Sequence, residues 1–119
     1  MKLRLIALIA VALLLISARP ALADDMTTCD TPTIAALQTC VQHAAEMGHI
    51  DNNGIVGSLN AKLDAAQAAL DRGQPAVAVN ILSAFVNEVQ AQAGRHIDAE
   101  HAAHMVMHAQ TVIAALTQP

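Results

Sequence analysis

The chain has 119 residues, of which ten are acidic and six are Lys or Arg, for a formal charge of −4 with neutral histidines. Phe85 is its one aromatic residue; Trp and Tyr are absent. An acidic chain without stacking rings argues against nucleic acid and anionic membrane surfaces as partners.

The first element is a targeting signal rather than part of the fold. Lys2 and Arg4 precede an apolar run from Leu5 to Ile16, and "RPALADD" follows, with Ala21 and Ala23 as small residues before a cut. This pattern predicts a secretory signal peptide over residues 1–23, cleaved after Ala23. The apolar run is shorter than the roughly 20 residues of a membrane span. The mature chain is then a single small domain of about 96 residues, placed in the periplasm or outside the cell. Lys62, Arg72 and Arg95 are its remaining Lys and Arg residues, so its charge falls to about −7.

Residues 24–32 form a leading segment that contains Cys29. Cys40 falls within the first predicted helix. Export puts both cysteines in an oxidising compartment, and an intramolecular disulfide is expected, with an intermolecular bridge or free thiols as the alternatives. An intramolecular bridge closes a short loop, worth about 3 kcal/mol in the chain-entropy picture. The Cys-x10-Cys spacing is too wide for a redox motif.

Four helices are predicted within residues 33–117, and no strand pattern competes with them. The first opens at "DTPTIAAL", with Thr31 as the expected cap and Pro32 at the first helical position. Its apolar face is Ile34, Leu37, Val41 and Ala44, and Gly48 ends it. The turn "HIDNNG" leads to the second, whose stripe is Ile55, Leu59, Leu63, Ala66 and Leu70, with Gly73 as its stop. Pro75 starts the third, which carries Ala78, Ile81, Leu82, Phe85 and Val89 and stops at Gly94. Asp98 is the expected cap of the fourth, with Ala102, Met105, Val106, Ala109, Val112, Ile113 and Leu116 as its stripe. Short connections between sequential helices predict an all-α fold, a small four-helix bundle, mostly antiparallel.

The stretch from "GHIDNNGIVGSLNAKL" to "QAQAGRHI" resembles the FIMAH domain, a small helical module attached to many secreted bacterial enzymes and surface proteins, often ones acting on polysaccharides. The resemblance is carried by Gly48 and Ile50, by the run from Gly54 to Leu63, by the pattern A-x-N-x-L-x-A-F-x-N-x-V-x-A-Q-x-G from Ala78 to Gly94, and by Ile97. It implies a helical bundle with an accessory, non-catalytic role, and it brings no catalytic residues. This chain departs from the pattern in the extra histidines of its fourth helix, and it is read as standing apart from any attached enzyme.

Those histidines lie in "HAAHMVMH". At about 100° per residue, His101, His104 and His108 fall within an arc of roughly 60°, on a flank about 100° from the apolar stripe. Two readings stay open. They are solvated flank residues, or a chelating set for zinc, nickel or copper(II), in which an i, i+4 pair such as His104 and His108 supplies two nitrogens. Met105 belongs to the core stripe and Met107 points away, so the two methionines do not both join that set. Glu100 is the nearest carboxylate, but its direction differs from that of His101. His43 comes near the set if the first and last helices are neighbours. His96 is read as a solvated turn residue.

Ser58, Lys62, Asn80, Asn87 and Gln92 are the polar positions of the resemblance. Ser58 and Lys62 are one helical turn apart, and Asn80 and Asn87 share one face of the third helix. They are read either as a packing seam between the helices or as a strip that recognises a protein or glycan partner.

Enzyme motifs fail on spacing. A zincin helix needs a glutamate directly after its first histidine, whereas Met105 follows His104. "EMGH" has Glu-x-x-His spacing but crosses the helix end at Gly48 and has no second copy. "DNNGIV" breaks the alternation of a calcium loop at Ile55. Ser58 and Ser83 sit within helices, with no nucleophile elbow around them. The expectation is an exported interaction or accessory module without catalytic activity or a required cofactor. The alternative is a histidine-based metal binder or buffer.

Overall fold

The computed structural model describes Cys29 and residues 31–119; the expected signal peptide and its cleavage site lie outside the described residues. The helices are α1 (Ile34–Glu46), α2 (Asn53–Asp71), α3 (Pro75–Gln92) and α4 (Ala99–Thr117). Each arises where the apolar period and the local punctuation agree.

Helix α1 starts two residues later than Thr31 would place it. Thr33 has extended backbone, and its hydroxyl accepts the Ala36 N–H at 3.1 Å. Pro32 disfavours helical geometry at Thr31, so the proline lies in the turn ahead of the cap. Asn52 caps α2 by accepting the Ile55 N–H, which draws Asn53 and Gly54 of the expected turn into the helix. Pro75 holds the first position of α3, where its missing N–H costs no helical bond. Asp98 is the cap residue of α4 by position, but its carboxylate makes no capping bond.

Helix α2 packs on α3, α3 on α4, and α1 closes the bundle against both α2 and α4. Leu37, Val41, Leu59, Leu63, Leu82, Phe85, Val89, Met105 and Val112 fill the centre with almost no exposure. Between them lie buried alanines such as Ala66, Ala78 and Ala109, whose thin side chains let the helices approach closely. Ile55, Leu70, Ile81, Val106, Ile113 and Leu116 are partly buried and pack against this core.

The two loops at one end of the bundle are joined. Ile50, between α1 and α2, pairs antiparallel with Ile97, between α3 and α4. The Asp51 N–H donates to the His96 carbonyl at 3.0 Å, and the Asp98 N–H donates to the His49 carbonyl at 2.8 Å. Both isoleucines are buried, so the clasp is anchored in the core. Gly94 adopts φ of +72°, and its N–H returns to the Ile97 carbonyl at 2.8 Å, which turns the chain out of α3 and into the clasp. No described helix is long and apolar enough to cross a membrane.

Candidate functional site

The tripeptide His-Ile-Asp occurs twice, at residues 49–51 and 96–98. Antiparallel pairing centred on the two isoleucines sets the histidine of each copy beside the aspartate of the other. On one side His96 Nδ1 lies 2.8 Å from Asp51 Oδ1. On the other, His49 meets Asp98, and α4 adds His101 to the pair. The His101 Nδ1–H donates to Asp98 Oδ2 at 2.9 Å, and the rings of His49 and His101 stack with centroids 3.6 Å apart and planes 15° from parallel.

One ligand atom from each of His49, Asp98 and His101 lies within 4.8 Å of the others. The hydrogen bond from His101 is the main cause that holds the Asp98 carboxyl below its ordinary value of 3.8, and the nearby charges of His101 and His49 act in the same direction. The histidine faces of this group look into a cleft between α1 and α4 of about 250 Å³, which His43, His104, Met47 and Met105 also line. A second, more open groove of about 380 Å³ runs along the clasp itself, past His49, Asp51, Arg95, His96 and Asp98. His96 is thus an exposed turn residue, but one engaged by Asp51.

The expected set of His101, His104 and His108 does not come together. His108 is 6% exposed, so it is not a solvated flank residue. Its Nε2–H donates to the Thr31 carbonyl at 2.7 Å, and its Nδ1 faces Cys40 Sγ at 3.6 Å. Nε2 is therefore committed to Thr31, and Nδ1 faces the disulfide. Cys29 and Cys40 form an intramolecular disulfide with Cα atoms 5.5 Å apart, which holds Cys29 beside the flank of α4, with Thr31 bonded to His108 close by. His101 and His104 instead join His43 and His49 in the α1–α4 cleft, as neighbouring first and last helices allow.

The polar positions divide. The Ser58 hydroxyl donates to Glu88 Oε2 at 2.9 Å, while Lys62 Nζ donates to the Ser58 oxygen at 3.0 Å and pairs with the same carboxylate at 2.7 Å. This network ties α2 to α3, and Glu88 is a member the sequence reading missed. Asn80 and Asn87 sit exposed on α3, outside it. Gln92 acts through its backbone carbonyl, which receives the N–H groups of Arg95, His96 and Ile97 at the end of α3. The five residues do not form one strip.

His49 and Asp98 were also missed as partners. The signal for them was the repeated His-Ile-Asp, which implies a pair of like segments free to bond to each other.

A compact set of four helices, closed at one end by a loop clasp with a histidine–aspartate group beside it, defines the class: a small all-α module. The FIMAH domain matches residues 34–114, about two thirds of the chain and nearly all of the bundle. The chain belongs to the FIMAH domain family. No curated protein and no solved structure matches it.

Proposed function

We propose that this chain is an exported, non-catalytic accessory module that works by binding, and that the clasp end of the bundle is its working end. The observation that carries the reading is the family match over α1 to α4, since the family is one of small accessory domains. The Cys29–Cys40 disulfide is compatible with an oxidising compartment outside the cytoplasm. The distribution of chemistry points to the clasp end. Among the described residues the core is apolar except at His108, whereas His43, His49, His101 and His104 line one cleft beside the clasp, with Asp98 next to His49 and His101.

The test is to express the full chain with a C-terminal tag in bacterial cells and follow where it goes. The tagged protein is expected in the periplasmic or extracellular fraction and in association with purified envelope protein or polysaccharide, which are assayed separately. Association is expected to weaken in a His104→Ala/Met47→Ala double variant. Retention in the cytosol would overturn the export reading. Turnover of a polysaccharide or peptide substrate by the purified protein would overturn the non-catalytic one.

A further inference from the structure

We propose that His49, Asp98 and His101 form a binding site for one borderline divalent transition-metal ion, of the class of zinc or copper(II). The inference rests on the clasp end being the working end and names an ion that end takes.

The donor chemistry fits that class. Two imidazoles and a carboxylate suit ions that accept mixed nitrogen and oxygen ligands. Their arrangement comes from both loops and from the first turn of α4, so it exists because the clasp exists. The backbone is held on each side by the His49–Asp98 and Asp51–His96 hydrogen bonds. The ligands are therefore largely assembled before any ion arrives.

The distances are close to what an ion needs. Metal–nitrogen bonds of about 2.0–2.1 Å in a tetrahedral site put neighbouring ligand atoms about 3.3 Å apart. The three candidate atoms are all within 4.8 Å of one another, so each has at most roughly 1.5 Å to travel. The Asp98–His101 contact at 2.9 Å needs only to open slightly.

In binding, the ion takes the place of the proton on His101 Nδ1; the neutral ring carries its proton on Nε2 instead, exchanged through solvent, and Asp98 turns from the Nδ1 proton to the ion. The His49 ring turns off the His101 ring, because two stacked rings direct their in-plane nitrogens side by side rather than at one point. His49 and His101 are only partly buried and face the cleft, so the turn meets little packing. His104 lines the same cleft but lies outside this group of mutually close ligand atoms, so water completes the coordination.

The site differs from a flank chelate on α4 alone. His108 is excluded by its bond to Thr31, and His49 is recruited from the other loop.

The experiment titrates the full disulfide-bonded protein, freed of metal with EDTA and desalted, with zinc and, in a parallel arm, copper(II). Calorimetry follows both arms. Imidazole nitrogen–proton correlation spectra follow zinc, which is diamagnetic. The expected result is saturable one-to-one binding that shifts the His49 and His101 ring signals and leaves those of His108 in place. His49→Gln and His101→Gln are each expected to weaken binding at least about tenfold, and Asp98→Asn by about 10- to 100-fold. Absence of saturable binding in both arms would overturn the proposal. So would shifts confined to other histidines, or binding unchanged in both glutamine variants. The spectra of the unaltered protein decide the matter even where a variant fails to fold. A failure here with envelope association retained would remove the metal site and leave the accessory reading standing.

Discussion

His108 Nε2 lies 2.7 Å from the carbonyl oxygen of Thr31, a residue 77 positions earlier in the chain. A carbonyl only accepts, so Nε2 carries a proton, while Nδ1 lies 3.6 Å from the disulfide sulfur of Cys40. This one ring ties α4 to the segment ahead of α1. His108→Leu removes the donor while filling similar space, and leaves the Thr31 carbonyl without that partner. Thr31 is exposed and its carbonyl still accepts the Thr33 N–H, so the variant is expected to destabilise the fold by about 0.5–1.5 kcal/mol in urea unfolding. His108→Gln keeps a donor and is expected to recover part of the loss. Equal stability of the leucine variant and the parent would show that the bond contributes nothing net.

The link between α2 and α3 is a small ionic network with a hydroxyl at its centre. Lys62 and Glu88 are 30% and 18% exposed, so solvent still screens their attraction. A double-mutant cycle with Lys62→Met and Glu88→Gln is expected to give a coupling of about 0.5–1 kcal/mol, the upper part of the range for exposed pairs. Ser58→Ala is expected to lower that coupling, because Ser58 bridges both ends. A coupling of zero would assign the pair to surface charge alone.

Gly94 offers a cleaner test of backbone geometry. An added Cβ there meets no atom within 4 Å, yet its φ is +72°. Gly94→Ala is therefore free of clash and subject only to the left-handed backbone cost, about 1–2 kcal/mol. Thermal unfolding is expected to show that loss without any change in helical content at low temperature. If Gly94→Ala matched the parent, the turn into the clasp would not depend on that backbone angle.

These residues also show which features could be read in the sequence. Leu59, Leu63, Leu82, Phe85 and Val89 declared their buried faces because the helical period is local and each helix reports its own stripe. Gly73 and Gly94 marked helix ends for the same reason. Ile50 and Ile97 carried no such signal. They are single apolar residues in polar turns, and their burial depends on pairing across 47 positions. His108 misled for a related cause. The helix's own pattern sets it on a polar flank, whereas Thr31 and the Cys29–Cys40 bridge lie against it. The His101, His104 and His108 set was built from one helix alone, whereas the histidine cluster that forms takes members from three parts of the chain.

Asp98 gives the clasp a pH dependence of definite sign. Its folded-state pKa lies below the ordinary 3.8, chiefly through the hydrogen bond from His101. A carboxylate whose folded pKa is depressed adds stability that is present above its unfolded value and is lost as pH falls through the folded one. The window therefore begins near pH 3.8 and extends downward. In EDTA-containing buffer, the parent is expected to lose stability more steeply through that window than Asp98→Asn, which keeps the side-chain shape but does not titrate. Urea midpoints measured at successive pH values below 5 check this. His101→Gln should flatten the parent's slope in the same window, because it removes the main cause of the shift. Parallel curves for all three proteins would mean that the His101–Asp98 bond makes no net contribution to folding.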